Sequence, residues 1–101
     1  MKQKILCSDW VELYVIFINS LMKLFPERIQ NLNGRPFLEY SDDIDICKLA
    51  QSHRMRNPVE IDNFYYVETG ISVSDIIKRI KALLDYCELD YGQCVIVFKY
   101  I

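Results

Sequence analysis

The residues best equipped for chemistry sit in the middle of the chain. Asp42, Asp43 and Asp45 stand almost side by side, and Glu60, Asp62 and Glu68 follow before residue 70. Carboxylates grouped in this way can hold a divalent cation through oxygen ligands. Two bound ions would support hydrolysis of a phosphodiester. On that reading Asp42, Asp45 and Glu60 are the ligands of a small metal-dependent phosphodiesterase or nuclease. A plainer reading fits the same residues. Acids gather in the first turn of a helix because they meet the positive end of its dipole, and short polar side chains there cap free N–H groups. The spacing also lacks the alternating Asp/Asn, the Gly and the final Glu of a calcium-binding EF-hand loop. Capping composition alone accounts for the cluster, so neither a metal nor a catalytic role is assigned to it.

The other chemical candidates fade in the same way. His53 is the only histidine and lies beside Arg54 and Arg56. It could act as a general base or help bind an anion. Cations at the end of a helix, where they complement exposed carbonyls, explain the same segment. Cys7, Cys47, Cys87 and Cys94 form no C-x-x-C pair and have no histidine at metal-ligand spacing. Cys47, Cys87 and Cys94 fall among apolar residues, where a reduced thiol behaves as a small hydrophobe rather than a nucleophile. Gly34, Gly70 and Gly92 are far apart, which excludes the glycine-rich phosphate loops. No G-x-S-x-G elbow is present. No cofactor is expected.

The elements that must position these residues follow from pattern. The 101 residues are 51% hydrophobic and 26% charged, enough apolar material for one globular domain over 1–101. Asp9-x-x-Glu12 has the form of a capping box. After it Trp10, Tyr14, Phe17, Ile18, Leu21, Leu24 and Phe25 recur at helical spacing, predicting a helix over 9–25. Leu13, Val15 and Ile16 lie off that stripe, so the helix is either buried on several sides or lends one side to a partner, and the second case includes a homodimer through 10–25. Asn33-Gly34-Arg35-Pro36 is a turn, and Phe37–Tyr40 suggests a short strand. Asp42, Asp43 and Asp45 open a helix to about His53. Residues 59–68 alternate with period two and read as a strand. Ile61, Asn63, Tyr65 and Val67 would face one way; Asp62, Phe64, Tyr66 and Glu68 the other. Ser72-x-x-Asp75 caps a helix over 73–88, with Val73, Ile76, Ile77, Ile80, Leu83, Leu84 and Cys87 on one face and Asp75, Lys78, Arg79, Lys81 and Asp85 opposite. Residues 93–100 read as a strand covered on both faces. The fold class is therefore α+β, or a small α/β unit. About three helices would pack on a sheet whose strands near 59–68 and 93–100 are joined by the 73–88 helix.

Charge and hydropathy narrow the function. Lys plus Arg is 12 against 14 for Asp plus Glu, a net charge of −2. Nucleic-acid binding draws on a positive excess that is missing here. The longest uninterrupted apolar run, Leu13–Ile18, falls far short of the ~20 residues that span a bilayer. No cleavage site follows it. A cytoplasmic protein with free thiols is expected. Within residues 41–70 acids outnumber bases six to three, and tyrosines accompany them. Tyrosine is enriched in protein interfaces, where its ring supplies area and its hydroxyl a hydrogen bond. Asp42, Asp43, Asp45, Glu60, Asp62, Tyr66 and Glu68 are thus expected to form an outward acidic–aromatic patch. Such a patch suits a protein partner with a basic surface, for example a toxin nuclease. In general profile the chain is similar to the small immunity proteins that neutralise toxins inside bacteria: one slightly acidic domain without catalytic equipment. That likeness implies a non-catalytic inhibitor. The alternatives are the phosphodiesterase and a homo-oligomeric structural subunit.

Overall fold

The computed structural model describes residues 10–39, 41 and 43–89. The 93–100 strand, Cys7, Cys94, Asp9 and Asp42 lie outside the described residues. Helix α1 runs over Trp10–Leu24, with Glu12 in its first turn and Lys23 in its last, both matched to the helix dipole. Pro26 then starts the one-turn helix α2, Pro26–Gln30, where a missing N–H costs nothing. Helix α3 covers Val73–Tyr86, and the Ser72 hydroxyl accepts from the Asp75 N–H at 3.2 Å, as the sequence motif requires. These boundaries agree with the amphipathic patterns.

The sheet is three-stranded and antiparallel, in the order β1-β3-β2. Strand β1 is Ile46–Lys48, β2 is Pro58–Glu60 and β3 is Tyr65–Glu68. The central strand β3 pairs Val67 with both Ile46 and Val59, and Tyr66 with both Cys47 and Glu60. Pro58 sits on an outer strand, where its lack of an N–H is tolerated. Tyr14, Phe17, Ile18, Leu21 and Met22 of α1 and Ile76, Ile80, Leu83 and Leu84 of α3 share one core with Ile46, Ile61, Tyr65 and Val67 of the sheet region. The fold is α+β.

Three expectations need correction. The helix from Asp42 to His53 is instead β1 followed by a 3-10 turn over Leu49–Arg54. Pairing of Ile46 with Val67 buries Ile46 completely, and that burial outweighs the local helix signals. The single strand over 59–68 is a hairpin, because Asn63 (φ 64°) and Phe64 (φ 61°) are left-handed and reverse the chain. Phe37–Tyr40 forms no strand among its described residues; 37–39 are bends and a turn. The one bridge in this region joins Arg35 to Ile46.

Candidate functional site

Each acid singled out by sequence can now be placed. Asp45, immediately before β1, is fully buried. Its Oδ1 accepts from Arg79 Nε at 2.8 Å, and its Oδ2 from the Phe37 N–H at 2.8 Å. Burial pushes the Asp45 carboxyl up, against the Phe37 N–H and the Arg79 guanidinium, which hold it down. Burial opposes the charge on Arg79, but the bond to Asp45 together with the attraction of Asp45, Tyr14 and Asp75 more than offsets it, and the guanidinium is raised overall. Arg79 lies on the face of α3 expected to meet solvent, yet it is only 3% exposed. It turns inward because Asp45 would otherwise be an uncompensated buried charge.

Glu68 is likewise inside, at 3% exposed. Its carboxylate accepts from the N–H groups of Arg56 (2.6 Å), Asn57 (3.1 Å) and Gly70 (2.6 Å). It thereby supplies acceptors for a loop that would otherwise leave three donors open. Gly70 is needed for this approach, since a Cβ there would come within 2.7 Å of Glu68 Oε2. Asp45 and Glu68 therefore correct the expected patch: both are internal struts, closed to a partner.

Asp43, Glu60 and Asp62 are exposed, and Tyr66 is half-buried. Glu60 and Tyr66 are cross-strand neighbours on the β2–β3 hairpin, so they share a face. Asp62 begins the turn of the same hairpin. The turn is fastened to α1: the Asp62 N–H donates to Asn19 Oδ1 at 2.9 Å, and Lys23 Nζ lies 3.8 Å from Asp62 Oδ2. The Ile61 N–H donates to the Tyr65 carbonyl at 2.8 Å and closes the hairpin. Glu60, Asp62 and Tyr66 are thus brought together, and Asp43 belongs to a separate loop before β1.

Phe64 is absent from the patch expected from sequence, where its aromatic run reads as strand packing. It is 72% exposed, more than any other large hydrophobic residue among the described ones. Two-residue reversals with positive φ at both central positions favour Asn followed by Gly. Here Asn63 fills the first position and a phenylalanine fills the glycine position. A left-handed conformation costs a non-glycine residue about 1–2 kcal/mol. Asp62-Asn63, two consecutive polar residues that interrupt the alternation, was the available signal for a turn.

The remaining candidates have simple surroundings. Cys47 and Cys87 are buried free thiols, and burial pushes both up, away from the thiolate. Cys47 Sγ lies 3.8 Å from Met55 Sδ. His53 and Arg54 are exposed at the end of the 3-10 turn. Among the described residues no group of three His, Cys, Asp or Glu is placed to hold a metal ion. Of the ligand set Asp42, Asp45 and Glu60, both Asp45 oxygens are already engaged, and Glu60 lies on β2, on the other side of β3 from β1. Within α1, Leu13, Val15 and Ile16 are half-buried, and Trp10 and Leu24 are its exposed large hydrophobics. No described helix is long and apolar enough to cross a membrane. No protein-family model matches this chain, and no curated protein or solved structure matches it either.

Proposed function

We propose that the protein is a non-catalytic binding module that docks the tip of its β2–β3 hairpin on a protein partner with a basic surface. A cytoplasmic inhibitor or immunity protein masking a toxin nuclease is the concrete form of this reading. Phe64 carries it. Backbone strain that holds a large aromatic ring in water has no folding benefit, and such outliers cluster where a protein makes contact with something else. Glu60 and Asp62 precede Phe64 on the same hairpin and Tyr66 follows it on β3, which supplies the mixture of aromatic anchor and charged rim found in tight interfaces. Carboxylates on a rim act mainly by steering a cationic partner into contact.

The test is capture from the native host with the immobilised chain. The wild type should retain a basic protein that Phe64→Ala does not retain. Charge reversal at Glu60 or Asp62 should then slow association with that protein, leave dissociation nearly unchanged, and be mimicked by added salt. Equal retention by wild type and Phe64→Ala removes the basis of the proposal.

A further inference from the structure

A second surface lies away from the hairpin. An open groove of about 520 Å³ runs between the 37–39 loop and the C-terminal half of α3. Phe37 and Leu38 line one wall, Ala82 and Tyr86 the other, and Glu39 and Asp85 bring carboxylates to it. The volume is in the range of ligand-sized clefts.

The groove is built rather than incidental. Arg79, one turn before Ala82 on α3, holds Asp45 Oδ1, and Asp45 Oδ2 holds the Phe37 N–H. One buried carboxylate therefore pins both walls at fixed separation. The Tyr86 ring is held by its own bond, the hydroxyl donating to the Arg28 carbonyl at 2.8 Å. Arg28 donates to the Tyr86 carbonyl at 3.3 Å and pairs with Glu88 at 3.0 Å. Lys81 precedes Asp85 by one turn, but none of the four ion pairs among the described residues involves Glu39, Lys81 or Asp85.

We infer that this groove receives an arginine or lysine side chain of a protein partner. The inference rests on the proposed binding role and adds a second point of grip. Long basic side chains lay an aliphatic stem along apolar surface and keep the charged head at a polar rim. Phe37, Leu38, Ala82 and Tyr86 match the stem, and Glu39 and Asp85 match the head. Glu39 and Asp85 are exposed at the rim, where they attract a cationic head and repel an acidic one.

The experiment titrates the full chain, labelled with ¹⁵N, with acetyl-Leu-Arg-Leu-amide and separately with acetyl-Leu-Gln-Leu-amide. The arginine peptide should shift amide resonances at 37–39 and 82–86, and the glutamine peptide should bind about tenfold more weakly. Combining Glu39→Gln with Asp85→Asn should erase that preference without changing the circular dichroism spectrum. Ala82→Trp should block both peptides, and Phe64→Ala should leave both unaffected. Equal binding of the two peptides overturns the inference, as do shifts confined to other surfaces or no binding at ~10 mM peptide. Occupation of the groove by residues 90–101 of the chain itself, seen as cross-relaxation to Ala82 and Tyr86, overturns it too. Failure here leaves the hairpin proposal standing, because that proposal is read from the Phe64 capture assay.

Discussion

Replacing Phe64 by glycine and by alanine separates what the ring does from what the backbone costs. Both changes remove the same side chain, so the small packing loss from a residue already 72% exposed largely cancels between them. What differs is the conformational cost at φ 61°. Alanine keeps a Cβ and retains the left-handed penalty of about 1–2 kcal/mol. Glycine relieves that penalty but loses about 0.5–1 kcal/mol to its freer unfolded state. The difference leaves Phe64→Gly more stable than Phe64→Ala by about 0.75 kcal/mol at the centre of the two ranges. Urea unfolding followed by far-ultraviolet circular dichroism reads this directly. With slopes of about 1–3 kcal/mol per molar, the glycine midpoint should lie roughly 0.2–1 M above the alanine midpoint at equal slope. Both variants should lose the partner. A glycine variant no more stable than the alanine variant refutes the strain argument, and with it the reason for assigning the ring a role.

Three further outcomes follow from the buried polar groups and from α1. Asp45→Ala should cost about 3–5 kcal/mol in the same assay, because it leaves Arg79 charged in the core with only the more exposed Asp75 carboxylate, 3.9 Å away, beside it. The double change Asp45→Leu with Arg79→Met should recover much of that loss, and no recovery would mean that the Phe37 N–H bond dominates. The Tyr14 hydroxyl is buried with no hydrogen-bond partner among the described residues, so Tyr14→Phe should stabilise the fold by about 1–3 kcal/mol at neutral pH. Burial, with Asp45 adding to it, holds the Tyr14 phenol well above 10.0 in the folded chain. Stability linked to that phenol is complete below its ordinary value and is lost as pH rises toward the raised one. The advantage of Tyr14→Phe should therefore widen above pH 10, by up to about 1.4 kcal/mol per unit, and a constant difference from pH 7 to 11 would refute the burial of that group. For a homodimer through α1, sizing by light scattering should give a mass that rises with concentration and falls for Trp10→Lys with Leu24→Lys. A monomer at every concentration ends that arrangement.

The parts of the fold legible in the sequence are those fixed by local pattern. Helix α3 announces itself through Ser72 and Asp75 at one end and the spacing of Ile76, Ile80, Leu83 and Leu84 along its length. Helix α1 does so through Tyr14, Phe17, Ile18 and Leu21. The hairpin was missed because the β-branched and aromatic residues on either side of Asp62-Asn63 read as one strand, although those two consecutive polar residues interrupt the alternation. Only the left-handed backbone at two successive residues reveals the reversal. The burial of Asp45 was hidden for another reason. Its partner, Arg79, is 34 residues away and sits on the charged side of an amphipathic helix. Glu68 bonds to backbone N–H groups, which carry no sequence signal at all. Of the acids grouped by composition, those that remain on the hairpin surface are Glu60 and Asp62, joined by Tyr66.

The most direct test places a photoreactive p-benzoylphenylalanine at position 64 in the native host, with the same residue at exposed Lys78 as the control site. On irradiation, position 64 should cross-link to one basic protein, and addition of that protein to the purified chain should protect position 64 from labelling. Position 78 should give no such product. Absence of a specific product at 64, or the same products from both sites, would contradict the claim that the hairpin tip is where this molecule grips another.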